Sequence, residues 1–264
     1  MSRRRHTRVR HHRRIDSTNR AAFDAAADGA PDGTVITADA QLAGRGRLGR
    51  SWESPAGRNL YLSILLRGPL SAATAAALPF VAAVAARDAV EAVTELPAQI
   101  KWPNDLVIDG RKIGGILIET KSAGDAILLA VVGIGINVNW PRRSMPAALQ
   151  ATASSLLIER GRSVSRTRLL AALVDEFDAR FEELNRDGSR SILDAWSRHC
   201  ATFQQFVRLQ TAEGALTGRA EAIDRRGRLT LRHSDGTISR VAIDDTLRLR
   251  PVHPEPETDH AVRH

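Results

Sequence analysis

Glycine and arginine are concentrated in residues 44–50, and Trp52 follows shortly afterwards. The three glycines let backbone N–H groups approach a ligand, and the three guanidiniums offer forked donors that match carboxylate or phosphate oxygens. The segment contains the pattern G-x-G-x-x-G, but that dinucleotide-binding fingerprint has to open a helix. Because Pro55 and Gly57 precede an apolar run at residues 60–66, we predict a loop that binds an anion and leads into a strand.

A rare lysine provides a second candidate. Of the 38 basic residues only three are lysines, Lys101, Lys112 and Lys121. Lys101 begins the segment K-W-P-N-D, where an ammonium beside Trp and Pro makes a compact point charge suited to one phosphate or carboxylate. The alternative interpretation is a charged residue at a strand end, next to an Asn-Asp turn.

Two predicted strands carry glycine where an ordinary strand would not. G-G-I-L-I-E begins at Gly114, and G-I-G-I-N-V-N begins at Gly133. Glycine inside a strand marks either a bulge or a place where a ligand approaches the backbone. In the second strand small and large residues alternate, which opens one face and places Asn137 at the end.

Together with D-S-T-N at residues 16–19 and Q-L-A at residues 41–43, these segments resemble the motifs of the biotin protein ligases, in the same order. The resemblance covers residues from about 16 to about 250. It implies an α+β fold: a mixed sheet flanked by helices, of the class II synthetase-like biotin/lipoate ligase type, with a small C-terminal SH3-like β-barrel. Only 15 residues precede Asp16, so the chain resembles the short form without the N-terminal DNA-binding domain.

The resemblance implies an ATP-dependent enzyme that activates biotin as biotinyl-5′-AMP with Mg²⁺. It would transfer biotin to a lysine of a biotin carboxyl carrier domain. Lys101 and Arg47 match the catalytic positions. The residues implied for biotin binding are Ser17, Thr18, Asn19, Gln41, Arg45, Gly46, Arg47, Lys101 and Gly115. Those implied for ATP or adenylate binding are Arg47, Arg50, Trp52, Asn104 and Asn137. The sequence assigns neither metal ligands nor a general base for the acceptor amine.

Two other functions compete with this one. Lipoate–protein ligases are distant relatives that use the same two-step logic, although the G-R-G-R loop and K-W-P-N-D are of the biotin type. A non-catalytic regulator that senses biotinyl-AMP and binds nucleic acid through a basic tail is the alternative from another class. Both a monomer and a homodimer are compatible with the sequence.

The basic charge is concentrated at the N-terminus. Seven arginines and no acidic residue lie in residues 1–14, while the whole chain has a net charge of +8. The remainder is therefore close to neutral, without the broad basic face expected of a specific nucleic-acid binder. We predict a disordered basic tail at residues 1–13, a catalytic domain at 14–202, an SH3-like domain at 203–250 and a flexible tail at 251–264.

Composition favours a cytoplasmic enzyme with no membrane partner. The single Cys200 excludes an intramolecular disulfide, and no apolar segment follows the N-terminal arginines as in a secretory signal. The alanine-rich span 71–95 is interrupted by Pro79 and charged residues, which indicates a packed helix. Periodicity predicts further helices at 164–184 and 191–200, and a hairpin turn at Asp109 and Gly110. Strands are predicted at 33–37, 60–66, 112–119 and 127–139, and short C-terminal strands at 206–210, 215–223, 228–232, 238–243 and 246–249.

Overall fold

The computed structural model describes residues 8–124, 126–211, 214–243 and 248–251, and the chain divides into two compact units. The first unit extends to Ala201 and includes Arg225–Gly227, and the second comprises Thr202–Asp224 and the chain from Arg228 onward. The first unit is built on a seven-stranded mixed sheet with helices, and the second on a five-stranded antiparallel sheet. The predicted α+β fold with a small all-β C-terminal unit is confirmed.

Seven strands form the large sheet: β1 (Val9–His12), β2 (Val35–Ala38), β3 (Leu60–Leu70), β4 (Gln99–Lys101), β5 (Asp105–Ile108), β6 (Arg111–Ala123) and β7 (Ala126–Ile136). Their order across the sheet is β1-β2-β3-β7-β6-β5-β4. Only β1 and β2 run parallel, and every other neighbouring pair is antiparallel. The predicted turn between β5 and β6 is confirmed, because Asp109 and Gly110 both have positive φ as a tight hairpin requires.

The helices are α1 (Thr18–Ala27), α2 (Ala72–Thr94), α3 (Ala147–Gln150), α4 (Leu156–Arg160), α5 (Arg166–Asp187) and α6 (Arg190–Arg198). Ser71 caps α2 by accepting a hydrogen bond from the backbone N–H of Thr74 at 3.0 Å, which offsets one of the unpaired donors at a helix start. By length and composition α2 is apolar enough to cross a membrane, but 61% of its apolar window is buried inside the protein. It is therefore the packed core helix that the sequence predicts.

Helix α1 covers one part of a sheet face. Its small residues Ala22, Ala25 and Ala26 form a buried cluster with Leu65 of β3 and Val131 of β7. Alternate residues of a strand point to the same side, so the glycines that follow Val131 at two-residue intervals lie on this face as well. The first turn of the helix, at Asn19, thus lies over Gly133, where the glycine-containing part of the sheet begins.

The prediction that residues 1–13 form a disordered tail is wrong for the part that the structure describes. Residues Val9–His12 form β1 at the edge of the sheet. The backbone N–H of Val35 donates to the carbonyl of Arg8, and that of Asp39 to the carbonyl of His12, both at 2.9 Å. An edge strand is held by backbone hydrogen bonds and tolerates charged, exposed side chains. Residues 1–7 lie outside the described part of the chain.

The second unit consists of β8 (Phe206–Thr211), β9 (Gly214–Ile223), β10 (Leu229–Arg232), β11 (Ile238–Val241) and β12 (Arg248–Pro251), in the order β11-β10-β9-β8-β12. The first four were predicted. The fifth was predicted at 246–249, of which 246 and 247 lie outside the described residues. Pro251 was assigned to the flexible tail but pairs with Val207 on the edge strand β12, a position that tolerates the missing N–H of proline. The rest of that predicted tail, residues 252–264, also lies outside the description.

Candidate active site

Four residues lie side by side on four neighbouring strands. Lys101 of β4 pairs with Asp105 of β5, Asp105 pairs with Gly115 of β6, and Gly115 pairs with Gly135 of β7. Directly opposite residues of antiparallel strands present their Cβ positions to the same face. Gly115 and Gly135 therefore form a floor of bare backbone, the glycine floor, with Asp105 and Lys101 at its side.

The indole of Trp52 lies on the glycine floor. A Cβ atom on Gly135 would come within 2.8 Å of its Nε1 and Cε2, and one on Gly115 within 3.2 Å of its Cζ3. Nζ of Lys112 lies 5.3 Å from the ring centroid and 2.5 Å from Oδ1 of Asp105. The indole N–H is buried and has no hydrogen-bond partner among the described residues. The predicted contact of Trp52 with the adenylate stays a prediction.

The glycine–arginine segment that carries Trp52 is a hairpin rather than the start of a long helix. The backbone N–H of Gly46 donates to the carbonyl of Arg50 at 2.7 Å, and that of Trp52 to the carbonyl of Gly44 at 2.8 Å. A single 3-10 turn, Arg47–Gly49, forms its tip. The predicted loop that leads into a strand is confirmed. Because the N–H of Gly46 is used inside the hairpin, the predicted contact of Gly46 with biotin stays a prediction that needs another backbone atom or an opened loop.

The start of α1 and the start of the loop are joined through Gln41. Oε1 of Gln41 accepts hydrogen bonds from the backbone N–H of Thr18 at 2.9 Å and from its hydroxyl at 3.2 Å, while Nε2 donates to Ser54 at 3.0 Å. Ser17 occupies the N-cap position, but its hydroxyl makes no capping hydrogen bond. Ser17 and Thr18 are only 5% and 4% exposed. The hydroxyls of Ser17 and Thr18 and the side-chain amide of Gln41 thus offer a mixed set of donors and acceptors.

Glu119 is a residue of the site that sequence reasoning missed. Its carboxylate pairs with both terminal nitrogens of Arg45, at 3.0 Å each, and accepts a hydrogen bond from Nδ2 of Asn19 at 2.6 Å. In the sequence, Glu119 is only the last letter of G-G-I-L-I-E, and no local signal connects it with residues so far away. Asn19 was predicted to bind biotin, yet its amide oxygen accepts from Ser63 at 2.6 Å, so both ends of the amide are used within the protein. Its contact with biotin stays a prediction.

Asn104 and Asn137 also have protein partners. The side chain of Asn104 donates to the carbonyl of Ile116 at 2.8 Å, which fastens the K-W-P-N-D turn to β6. Asn137 is 3% exposed; its amide donates to the carbonyl of Ser154 at 2.9 Å and accepts from Asn59 at 3.3 Å. These hydrogen bonds hold the end of β7 in place. The predicted contacts of both asparagines with the adenylate stay predictions.

Lys101 differs from the other two lysines. Lys112 is paired with Asp105, and Nζ of Lys121 lies 4.8 Å from the ring centroid of Phe23. Within the described part of the chain, the ammonium of Lys101 makes no ion pair and no hydrogen bond. An unpaired ammonium beside a backbone floor is suited to an anionic ligand. Arg47 and Arg50 lie at the tip of the loop, half-buried and exposed respectively.

Comparisons with known proteins show which proteins this chain resembles. The model of the biotin/lipoate A/B protein ligase family matches residues 12–137. The biotin–[acetyl-CoA-carboxylase] ligase of Paracoccus denitrificans is 34% identical over 84% of this chain and 93% of its own length. That of Mycobacterium tuberculosis is 32% identical over 89% and 86%. The structure of the biotin protein ligase from Aquifex aeolicus in complex with biotin and ATP superposes with a TM-score of 0.80, at 27% identity over 93% of this chain and 99% of that chain.

The chain belongs to the biotin/lipoate A/B protein ligase family. Within that family its sequence and fold group it with the biotin protein ligases, as its motifs predict.

Proposed function

We propose that this chain activates biotin as biotinyl-5′-AMP and transfers biotin to a lysine of a biotin carboxyl carrier domain. The observation that supports this most directly is the unpaired ammonium of Lys101 beside the glycine floor. The names of the relatives indicate a carboxylase carrier as acceptor. We propose the cytoplasm as its location.

The first step brings two anions together. An oxygen of the biotin carboxylate attacks the α-phosphorus of ATP, the bond to the bridging oxygen breaks, and pyrophosphate leaves. The approach of carboxylate and phosphate is opposed by charge repulsion, and a preorganised cation lowers that barrier most where negative charge accumulates. We assign this role to Lys101. Arg47 and Arg50 at the loop tip would bind the phosphates with their forked donors.

The polar groups at the start of α1 favour biotin over lipoate. The ureido ring of biotin has one carbonyl acceptor and two N–H donors, whereas the dithiolane ring of lipoate has no comparable hydrogen-bonding group. Ser17, Thr18 and Gln41 offer both donors and acceptors in a buried setting. Leaving such groups unpaired is costly, so a site of this kind rejects a ligand that cannot satisfy them.

ATP would bring Mg²⁺ with it. No cluster of three or more His, Cys, Asp and Glu side chains suited to hold a metal ion is found in the described ranges. Mg²⁺ usually keeps several waters and binds through substrate phosphates with one or two carboxylates. Bound in that way, the ion would neutralise charge on the leaving pyrophosphate.

In the second step the ε-amine of the carrier lysine attacks the carbonyl carbon of the mixed anhydride. The bond to the phosphate oxygen breaks, AMP leaves with the electron pair, and the new amide nitrogen loses a proton to solvent or to a basic group. A loop closed over the anhydride would exclude water until the amine arrives.

The test is incubation of the chain with ATP, Mg²⁺, biotin and an intact carrier domain, followed by mass measurement of that carrier. We expect a mass increase of one biotinyl group, none with a carrier whose acceptor lysine is replaced by arginine, and no competition from excess lipoate. Modification with lipoate instead would show a lipoate ligase. Tight binding of biotinyl-AMP without any release of pyrophosphate would show a non-catalytic sensor.

A further inference from the structure

Glu119 connects the glycine–arginine loop to helix α1 through side chains alone. Each of its two carboxylate oxygens lies 3.0 Å from a terminal nitrogen of Arg45, in the forked geometry that gives the strongest ion pairs. One of those oxygens also accepts from Asn19 at 2.6 Å. Arg45 is in the arm of the loop hairpin that pairs with Ser51. The carboxylate thus joins the loop to the first turn of α1.

The groups behind Glu119 are rigidly placed. Asn19 is buried, and its amide oxygen accepts from the buried hydroxyl of Ser63 at 2.6 Å. Ser63 pairs across the sheet with Gly133, and a Cβ atom on Gly133 would overlap the Asn19 amide. Glycine at 133 is therefore required by the Asn19 side chain. Arg45 is the most exposed member of this series, with 45% of its side chain accessible to solvent.

We propose that Glu119 is a positioning residue that holds the loop closed over the ring of bound biotin. This inference rests on the proposed function. Thr18 is bound to Gln41 just before the loop, and Glu119 binds Arg45 within it, so the two contacts hold the loop at two points against the same helix end. Without the carboxylate, the forked pair is lost and the three glycines of the loop allow the hairpin to open.

Limited proteolysis tests the loop without any need for turnover. Arg47 and Arg50 are trypsin sites at the loop tip, and the peptides they release can be quantified by mass spectrometry. We expect Glu119→Gln to accelerate cleavage there about tenfold, as for loss of one charge-assisted pair. The matched control is Glu221→Gln, which removes a carboxylate paired with Arg232 at 2.6 Å in the C-terminal unit and should leave these rates unchanged.

Kinetics then separate positioning from chemistry. Glu119→Gln should raise KM for biotin about tenfold with a smaller change in kcat, while thermal unfolding identifies any general loss of fold. The effects of Arg45→Ala and Glu119→Ala should not be additive in a double-mutant cycle. Arg45→Lys should raise KM less than Arg45→Ala does, but should not reach the wild-type value because lysine lacks the forked donors.

Unchanged cleavage and KM in Glu119→Gln, or additive effects of the two single substitutions, would overturn the proposal. If the wild-type chain released no pyrophosphate with biotin, the proposed function would fail, but the proteolysis would still decide whether Glu119 holds the loop.

Discussion

The indole of Trp52 lies in the space that a side chain at Gly135 would occupy. A Cβ atom there would come within 2.8 Å of two ring atoms, Nε1 and Cε2. The two residues come from distant segments, the glycine–arginine loop and β7. Their contact explains why β7 carries glycine at its penultimate residue. The backbone there is the floor of the site, and a larger residue would displace the indole that covers it.

Gly135→Ala should push Trp52 off the floor, with an overpacking cost of about 1–3 kcal/mol in the free energy of unfolding and a rise in KM for biotin. Gly115→Ala should have a milder effect, because its Cβ atom would lie 3.2 Å from the ring. Thermal unfolding and pyrophosphate release measure both. In the double variant with Trp52→Ala the stability cost of Gly135→Ala should disappear, and a fully additive cost would contradict the contact.

Lys101→Ala should lower the rate of biotin-dependent pyrophosphate release by about 10²–10³, the usual effect of losing one well-placed donor at a developing anion. Lys121→Ala is the matched control, because that lysine lies against Phe23 rather than beside the glycine floor. Its rate should equal that of the wild type. Near-normal release by Lys101→Ala would show that another group provides the charge.

Arg47→Gly should still form the adenylate but release it faster, because a guanidinium at the loop tip is lost while the hairpin hydrogen bonds of Gly46 and Trp52 remain. When the loop is closed, it would retain the mixed anhydride biotinyl-AMP and keep water away from it. The measurement is capture of released adenylate by an added free amine, compared with turnover on the carrier. Equal leakage from wild type and variant would leave Arg47 as a surface charge.

Deletion of residues 1–13 should lower the thermal unfolding midpoint by several degrees, since it removes β1 and its hydrogen bonds to β2. Adenylate formation at low temperature should remain near normal, because β1 lies at the far edge of the sheet from Lys101. Deletion of residues 1–7, which leaves β1 in place, is the control. An unchanged midpoint after the longer deletion would show that β1 contributes no stability.

Acid stability should depend on Asp39. Burial acts to raise the pKa of this carboxyl, but the hydrogen bond and charge of Arg166, together with His11, outweigh it and lower the pKa. A carboxyl whose pKa is depressed on folding contributes stability that is complete above its pKa in the unfolded state, about 3.9. That stability is lost as the pH falls through its pKa in the folded state. Asp39→Asn should therefore lower stability at pH 7 and flatten the acid-unfolding curve, unlike Asp28→Asn at an exposed position. Parallel curves for wild type and Asp39→Asn would refute this.

Much of the architecture and part of the site could be predicted because the signals are local. Ser71 before an alanine-rich run, the alternation along β7, and the Asp109-Gly110 pair are features of short segments. The structure has a helix cap, a strand and a hairpin turn at these places. The N-terminal strand was missed for the opposite reason. Residues Val9–His12 show no apolar pattern, and only the presence of β2 beside them turns exposed backbone into a strand.

The amino-acid sequence by itself determined which chemical groups the protein has: glycines, loop arginines and a rare lysine in family motifs. Only the tertiary structure decided their partners. Glu119 contacts Arg45 across 74 positions of sequence and Asn19 across 100. The side-chain amides of Asn104 and Asn137 donate hydrogen bonds to backbone carbonyls of the protein. Such contacts depend on the register between strands, and a shift of one residue would send every side chain to the opposite face. Register is set by the packing of the whole sheet, which no single segment encodes.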